Sequence, residues 1–171
     1  MIIKNLSLVF FSRAFTAGVA FCTMLLLMWV LNIEDFAKYS FYFTFFTFCS
    51  VIPNIGVNNH IVLDNDNKDY KIAVIENRQI TCIVLVIVTA LFGLLFKIDE
   101  VLILSCISGF ISSIYDLNLS IVQSSKNMKN YAFVMPIKTM SIFCAALISL
   151  LFKENFLFSF FSILLIFFLF S

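Results

Sequence analysis

Long apolar runs joined by short polar connections confine this chain to structures that keep most of their surface in a bilayer. The runs extend from about Leu6 to Leu31, Phe36 to Leu63, Ile80 to Phe96, Val101 to Gln123, Tyr131 to Phe152 and Phe156 to Phe170. Most approach the ~20 residues that a helix needs to cross hydrocarbon about 30 Å thick. With 62% hydrophobic residues, 12% charged residues and a mean hydropathy of +1.06, a soluble domain would present an insoluble surface. The fold expected is therefore all-α: a polytopic membrane helical bundle of about six transmembrane helices, forming a single lobe over residues 1–171.

The connections at Asn32–Asp35, Lys97–Glu100 and Lys153–Asn155 are too short for anything but antiparallel neighbours, so the bundle is predicted to consist of helical hairpins. Lysine and arginine set the expected orientation. Lys4, Lys68, Lys71, Arg78, Lys126 and Lys129 fall on one side, against Lys38, Lys97 and Lys153 on the other, which predicts a cytoplasmic N-terminus. The first run is too long for the apolar segment of a signal peptide and lacks a small-residue cleavage pattern, so it is expected to remain.

Other function classes find little support. The net charge of +1 and the lack of a basic tail give no reason to expect nucleic acid as a partner. Cys22, Cys49, Cys82, Cys106 and Cys144 lie inside apolar runs without a CxxC pair, and read as small buried hydrophobes. The run Asp64–Asp69 has neither the glycine nor the glutamate of a calcium loop at the needed offsets. No metal site and no cofactor are expected. There is no HExxH, no GxSxG, no phosphate-binding glycine loop and no carboxylate pair at helical spacing within a span, so catalysis is not expected either.

What remains is a set of polar residues at helical spacing. Ser105, Gly109, Ser112, Asp116, Ser120 and Gln123 recur every three or four positions in the fourth run. Arg13, Thr16, Ala17, Ala20 and Thr23 do so in the first, Ser40, Thr44, Thr47, Ser50, Asn54 and Asn58 in the second, and Lys138, Ser141, Ala145 and Ser149 in the fifth. The third offers only Thr81 or Cys82, Thr89 and Gly93. Such faces serve either to line a polar path or to let membrane helices pack closely. Charged members favour the first use, because an isolated Arg, Lys or Asp at mid-helix costs about 2.5–3.5 kcal/mol on insertion scales.

Asp116 stands eleven residues before Asn127 and Lys138 eleven after it, so an antiparallel hairpin turning there places both at one depth. Arg13 is expected in the same layer, leaving one cation in excess for an anionic headgroup. Pro53 and Gly56 are expected to break the second run toward a cavity, and Pro136 the fifth. Asn54, Asn58, Ser112 and Gln123 join Arg13, Asp116 and Lys138 as candidate substrate-binding residues. Asp116 and His60 are the candidates for coupling to an ion.

The order of several segments resembles the N-terminal half of the polysaccharide-biosynthesis flippases, the O-antigen and capsule translocases of the multidrug/oligosaccharidyl-lipid/polysaccharide exporter superfamily. Those segments are Ser12-Arg13, Glu34-Asp35-Phe36-Ala37-Lys38-Tyr39-Ser40, Asn54-Ile55-Gly56-Val57 and the stretch from Gln123 ending in Lys129-Asn130-Tyr131-Ala132, within about the first 135 residues. The resemblance implies that an undecaprenyl-pyrophosphate-linked oligosaccharide passes from the cytoplasmic to the periplasmic leaflet of a bacterial inner membrane through a cationic cavity between two lobes. It also implies that Arg13 meets pyrophosphate, and that a second transmembrane lobe or a polysaccharide polymerase is a partner. Ala37 replaces the glycine common in that family. Its members have about twice as many spans, so the chain reads as a truncated product, a partial sequence or a lobe that pairs with another chain. The alternative expectation is a non-transporting membrane subunit or inactive remnant in which the stripes only pack helices.

Overall fold

The computed structural model describes residues 2–54, 68–124, 128–152 and 155–170, with side chains at 2–6, 68–71 and 170 left aside. The described residues form helices and no strands: α1 (Ile2–Val30), α2 (Ile33–Val51) continued by a 3-10 turn (Ile52–Asn54), α3 (Lys68–Phe96), α4 (Glu100–Ser124), α5 (Met128–Ser149) and α6 (Phe156–Phe170). By length and composition, stretches of α1, α3, α4 and α5 are long and apolar enough to cross a membrane. The protein is an all-α membrane bundle. The acidic and basic residues Glu34, Asp35 and Lys38 crowd the start of α2, and α6 is a shorter apolar helix.

Local chemistry sets the helix ends. Asn32 caps α2 by accepting the Asp35 N–H at 2.7 Å. Asp99 caps α4 by accepting the Val101 N–H at 2.9 Å, and its other oxygen accepts the Tyr42 hydroxyl from α2. Between them α3 stops at Lys97, whose φ of 50° is left-handed, while the Ile98 N–H returns to the Gly93 carbonyl at 3.2 Å. Pro53 ends the regular α2 helix in the 3-10 turn, as its missing N–H requires.

One element departs from expectation. The third helix starts at Lys68, about three turns before the predicted Ile80, because Lys68–Gln79 contains neither Gly nor Pro, and the stretch long and apolar enough to cross a membrane begins within it, at Ile72. The consequence is that Arg78, expected in a connection, lies within a helix.

α4 is the hub, packing against α2, α3, α5 and α6, while α1 lies mainly against α5 and barely touches α2, so the short Asn32–Asp35 connection does not make the packed first hairpin that was expected. The core is aromatic and belongs largely to α6, whose Phe156, Phe160, Phe161, Leu164 and Phe168 are buried with Leu27, Tyr39, Phe46, Tyr115, Ala145 and Ala146. Tyr39 meets Phe160 edge-on at 5.3 Å between ring centres, and Phe168 lies between Phe46 and Tyr115. The outer flanks of α1 and α3 expose Phe10, Phe11, Phe21, Ile83, Ile87 and Leu91, as lipid-facing surfaces do.

Candidate functional site

The chemistry collects on one turn of α4. The Lys138 ammonium on α5 donates to both oxygens of Asp116, at 3.0 and 2.9 Å, and the two side chains are 21% and 25% exposed. The pair lies eight residues from the end of α4, roughly 12 Å along its axis, and so within the apolar span. Asn54, in the 3-10 turn after α2, donates from Nδ2 to Asp116 Oδ2 at 3.3 Å and to the Ser50 carbonyl at 2.6 Å. The break at Pro53 thus brings an amide to the carboxylate.

Arg78 joins this layer from α3. It is 3% exposed, its Nη2 donates to the Ser113 carbonyl at 2.9 Å, and the Asp116 charge acts on it through space. One turn along α3, Cys82 Sγ lies 3.2 Å from Ser113 Oγ. Counting loop charges hid Arg78. Extending the face Gly93, Thr89 and Cys82 back by one more turn would have found it.

Arg13 does not share the layer. Ser12 Oγ donates to the Ala132 carbonyl at 2.6 Å, which sets the register of α1 on the parallel α5. In that register Gly18 is level with Lys138, and Arg13 lies about five residues, or roughly 7–8 Å, nearer the start of α1. Its side chain is exposed, and no ion pair involving it is found among the described residues. The equal-depth expectation failed because it counted residues from a presumed membrane boundary, whereas the helices are offset along their axes.

The stripe on α4 is mostly a packing face. Ser105 and Ser112 are fully buried, and at Gly109 an added Cβ would stand 2.4 Å from the Phe46 carbonyl oxygen. Ser112 is therefore shut off from any substrate in this arrangement, contrary to its candidacy. Ser105 and Ser120 bond back to the carbonyls of Leu102 and Asp116 in their own helix. Gln123 is half-buried near the end of α4. Asn58 and His60 lie outside the described residues.

Contrary to the expected break, α5 runs unbroken through Pro136, but the proline has no N–H for the carbonyl of Ala132, four residues earlier, which loses its helical partner. The freed carbonyl is the one that Ser12 satisfies, and the Tyr115 hydroxyl donates to the Val134 carbonyl beside it. An apolar hollow of about 380 Å³ opens between α3, α4 and α6, lined by Ile83, Ile87, Ile111, Tyr115, Asn118 and Phe168 among others. A shallower one, about 430 Å³, lies on α2 along Phe43, Thr44, Thr47, Phe48 and Val51. Among the described residues no group of three metal-ligating side chains occurs. No family model matches the chain, and neither curated proteins nor solved structures give a significant match.

Proposed function

We propose that this chain is one lobe of a flippase that moves an undecaprenyl-pyrophosphate-linked oligosaccharide across a bacterial inner membrane. The observation that carries this reading is the Asp116–Lys138 pair, a quarter exposed inside the apolar spans and held by Asn54 at the α2 break. Structural ion pairs in lipid are costly, and one left partly open marks a place where water or an anionic group is met. Arg78 and Lys138 give this layer more positive than negative charge among the described residues, which suits a diphosphate. Arg13, nearer the membrane edge on α1, supplies a first cation for a headgroup approaching along that helix. The apolar hollow beside Tyr115 suits a prenyl chain. Asp116 is also the residue through which an ion gradient would be coupled.

The test has two arms. Purified chain is incubated with undecaprenyl pyrophosphate or with uncharged undecaprenol, and bound lipid is read by native mass spectrometry. The diphosphate is expected to bind at least ten times better, with Lys138→Gln removing the preference. Asp116→Asn or Arg13→Ala, placed in the assembled transporter, is expected to abolish surface polysaccharide while the protein still inserts. Equal binding of both lipids together with unchanged polysaccharide defeats the reading.

The buried serines of α4 favour a second reading, a membrane subunit that transports nothing and whose stripes hold helices together. On that reading the diphosphate shows no preference for Lys138→Gln to remove, Asp116→Asn and Arg13→Ala leave surface polysaccharide unchanged, and only stability changes.

A further inference from the structure

Four helices meet at a single turn of α4. α3 grips Ser113 at its carbonyl through Arg78 and, one turn on, at its hydroxyl through Cys82. α5 holds Asp116 through Lys138, and the end of α2 reaches the same carboxylate through Asn54. Ser113 and Asp116 are three residues apart and so are neighbours on the helix surface. Arg78 is nearly fully buried, and a guanidinium in an apolar span is expensive to hold. Its charge is useful there because a carboxylate stands on the next turn, where low dielectric strengthens their attraction.

We propose that Arg78 is a positioning residue for the Asp116–Lys138 site, holding the carboxylate between α3 and α5. The assignment rests on reading that pair as the working centre of the protein. Lys138 draws Asp116 toward α5 while Arg78 draws the same turn of α4 toward α3. The carboxylate is thereby fixed from two sides, and α3 becomes mechanically tied to the pair. A latch between α3 and α4 with no concern for Asp116 would need only a neutral donor at position 78.

The experiment measures thermal unfolding midpoints of the full chain in detergent for the wild type, Arg78→Gln, Arg78→Lys, Asp116→Asn and the double variant Arg78→Gln/Asp116→Asn. If the two charges act on each other, the double variant loses less than the two single losses together, by about 3 °C or more. Arg78→Lys is expected to recover at least half of the loss seen with Arg78→Gln. Additive losses within about 1 °C, or no recovery with lysine, overturn the assignment and leave Arg78 as a simple latch. Should Arg78→Gln fail to accumulate, the amounts of membrane-inserted protein are compared in the same way. The double variant must then exceed the product of the two single fractions. Lipid binding and surface polysaccharide do not enter this readout, so a failure here is distinct from a failure of the flippase reading.

Discussion

Gly109 shows what a single hydrogen atom can decide. Its ideal Cβ would lie 2.4 Å from the Phe46 oxygen and 2.9 Å from Cys49 Cβ, and the first of these is backbone in α2. Only displacement of a whole helix can make room. Gly109→Ala is therefore expected to cost about 1–3 kcal/mol, read as a lower unfolding midpoint in detergent, whereas Gly18→Ala, which meets nothing within 4 Å, is expected to cost nothing. Equal losses at the two glycines would show that the α2–α4 contact is looser than described. The small-residue spacing made Gly109 legible as part of one face of α4, but not which helix covers that face. That depends on the register of α2 against α4, a contact between residues about sixty positions apart. Arg78 was illegible for a different reason: polar residues before an apolar run suit a loop and the first turns of a helix equally well.

At the level of the helix, the one hydrogen bond that Pro136 removes from the continuous α5 is replaced from a neighbouring helix. Pro136 has no N–H to offer the Ala132 carbonyl, and lipid has none either, so Ser12 on α1 donates instead. This links the α1–α5 contact to the proline. Ser12→Ala is expected to cost about 1 kcal/mol in the native chain. In a Pro136→Ala background it is expected to cost close to nothing, since residue 136 then donates to Ala132 within its own helix. Four unfolding midpoints test this, and an undiminished Ser12→Ala loss in the Pro136→Ala chain would mean that Ser12 matters for packing alone. The α3–α4 and α5–α6 hairpins were legible, because connections as short as Lys97–Glu100 permit only antiparallel neighbours and Asn32 and Asp99 carry ordinary capping chemistry, whereas α1 leaves α2 to pack on α5. The depth of each charge was not, as the offset between α1 and α5 shows. Asp116 and Lys138 met because their helices follow one another with only residues 125–127 between them, whereas Arg13 lies on a helix far from α5 in the chain.

Across the whole molecule the surplus of basic residues decides which way the bundle faces. Moving Arg78 out of the connections leaves five basic residues on the side of the N-terminus against three on the other, so the expected orientation keeps its sign with a smaller margin. The alternation of α1 to α6 then puts Asn32, Asp99 and Asn155 on one face, and the start of α3 and the α4–α5 connection on the opposite one. Alkaline phosphatase fused after Asp99 is accordingly expected to be active outside the cytoplasm, and green fluorescent protein fused after Lys129 to fluoresce within it. The margin is narrow enough to be manipulated. Replacing Lys126 and Lys129 with Gln while adding two lysines beside Asp99 should reduce both signals by favouring the opposite insertion. Phosphatase activity after Lys129 in the native chain would reverse the orientation outright. The Asp116–Lys138 pair, which lies toward the α4–α5 connection, would then open to the outer leaflet, and a substrate loaded from the cytoplasm would have to meet the bundle at its other end.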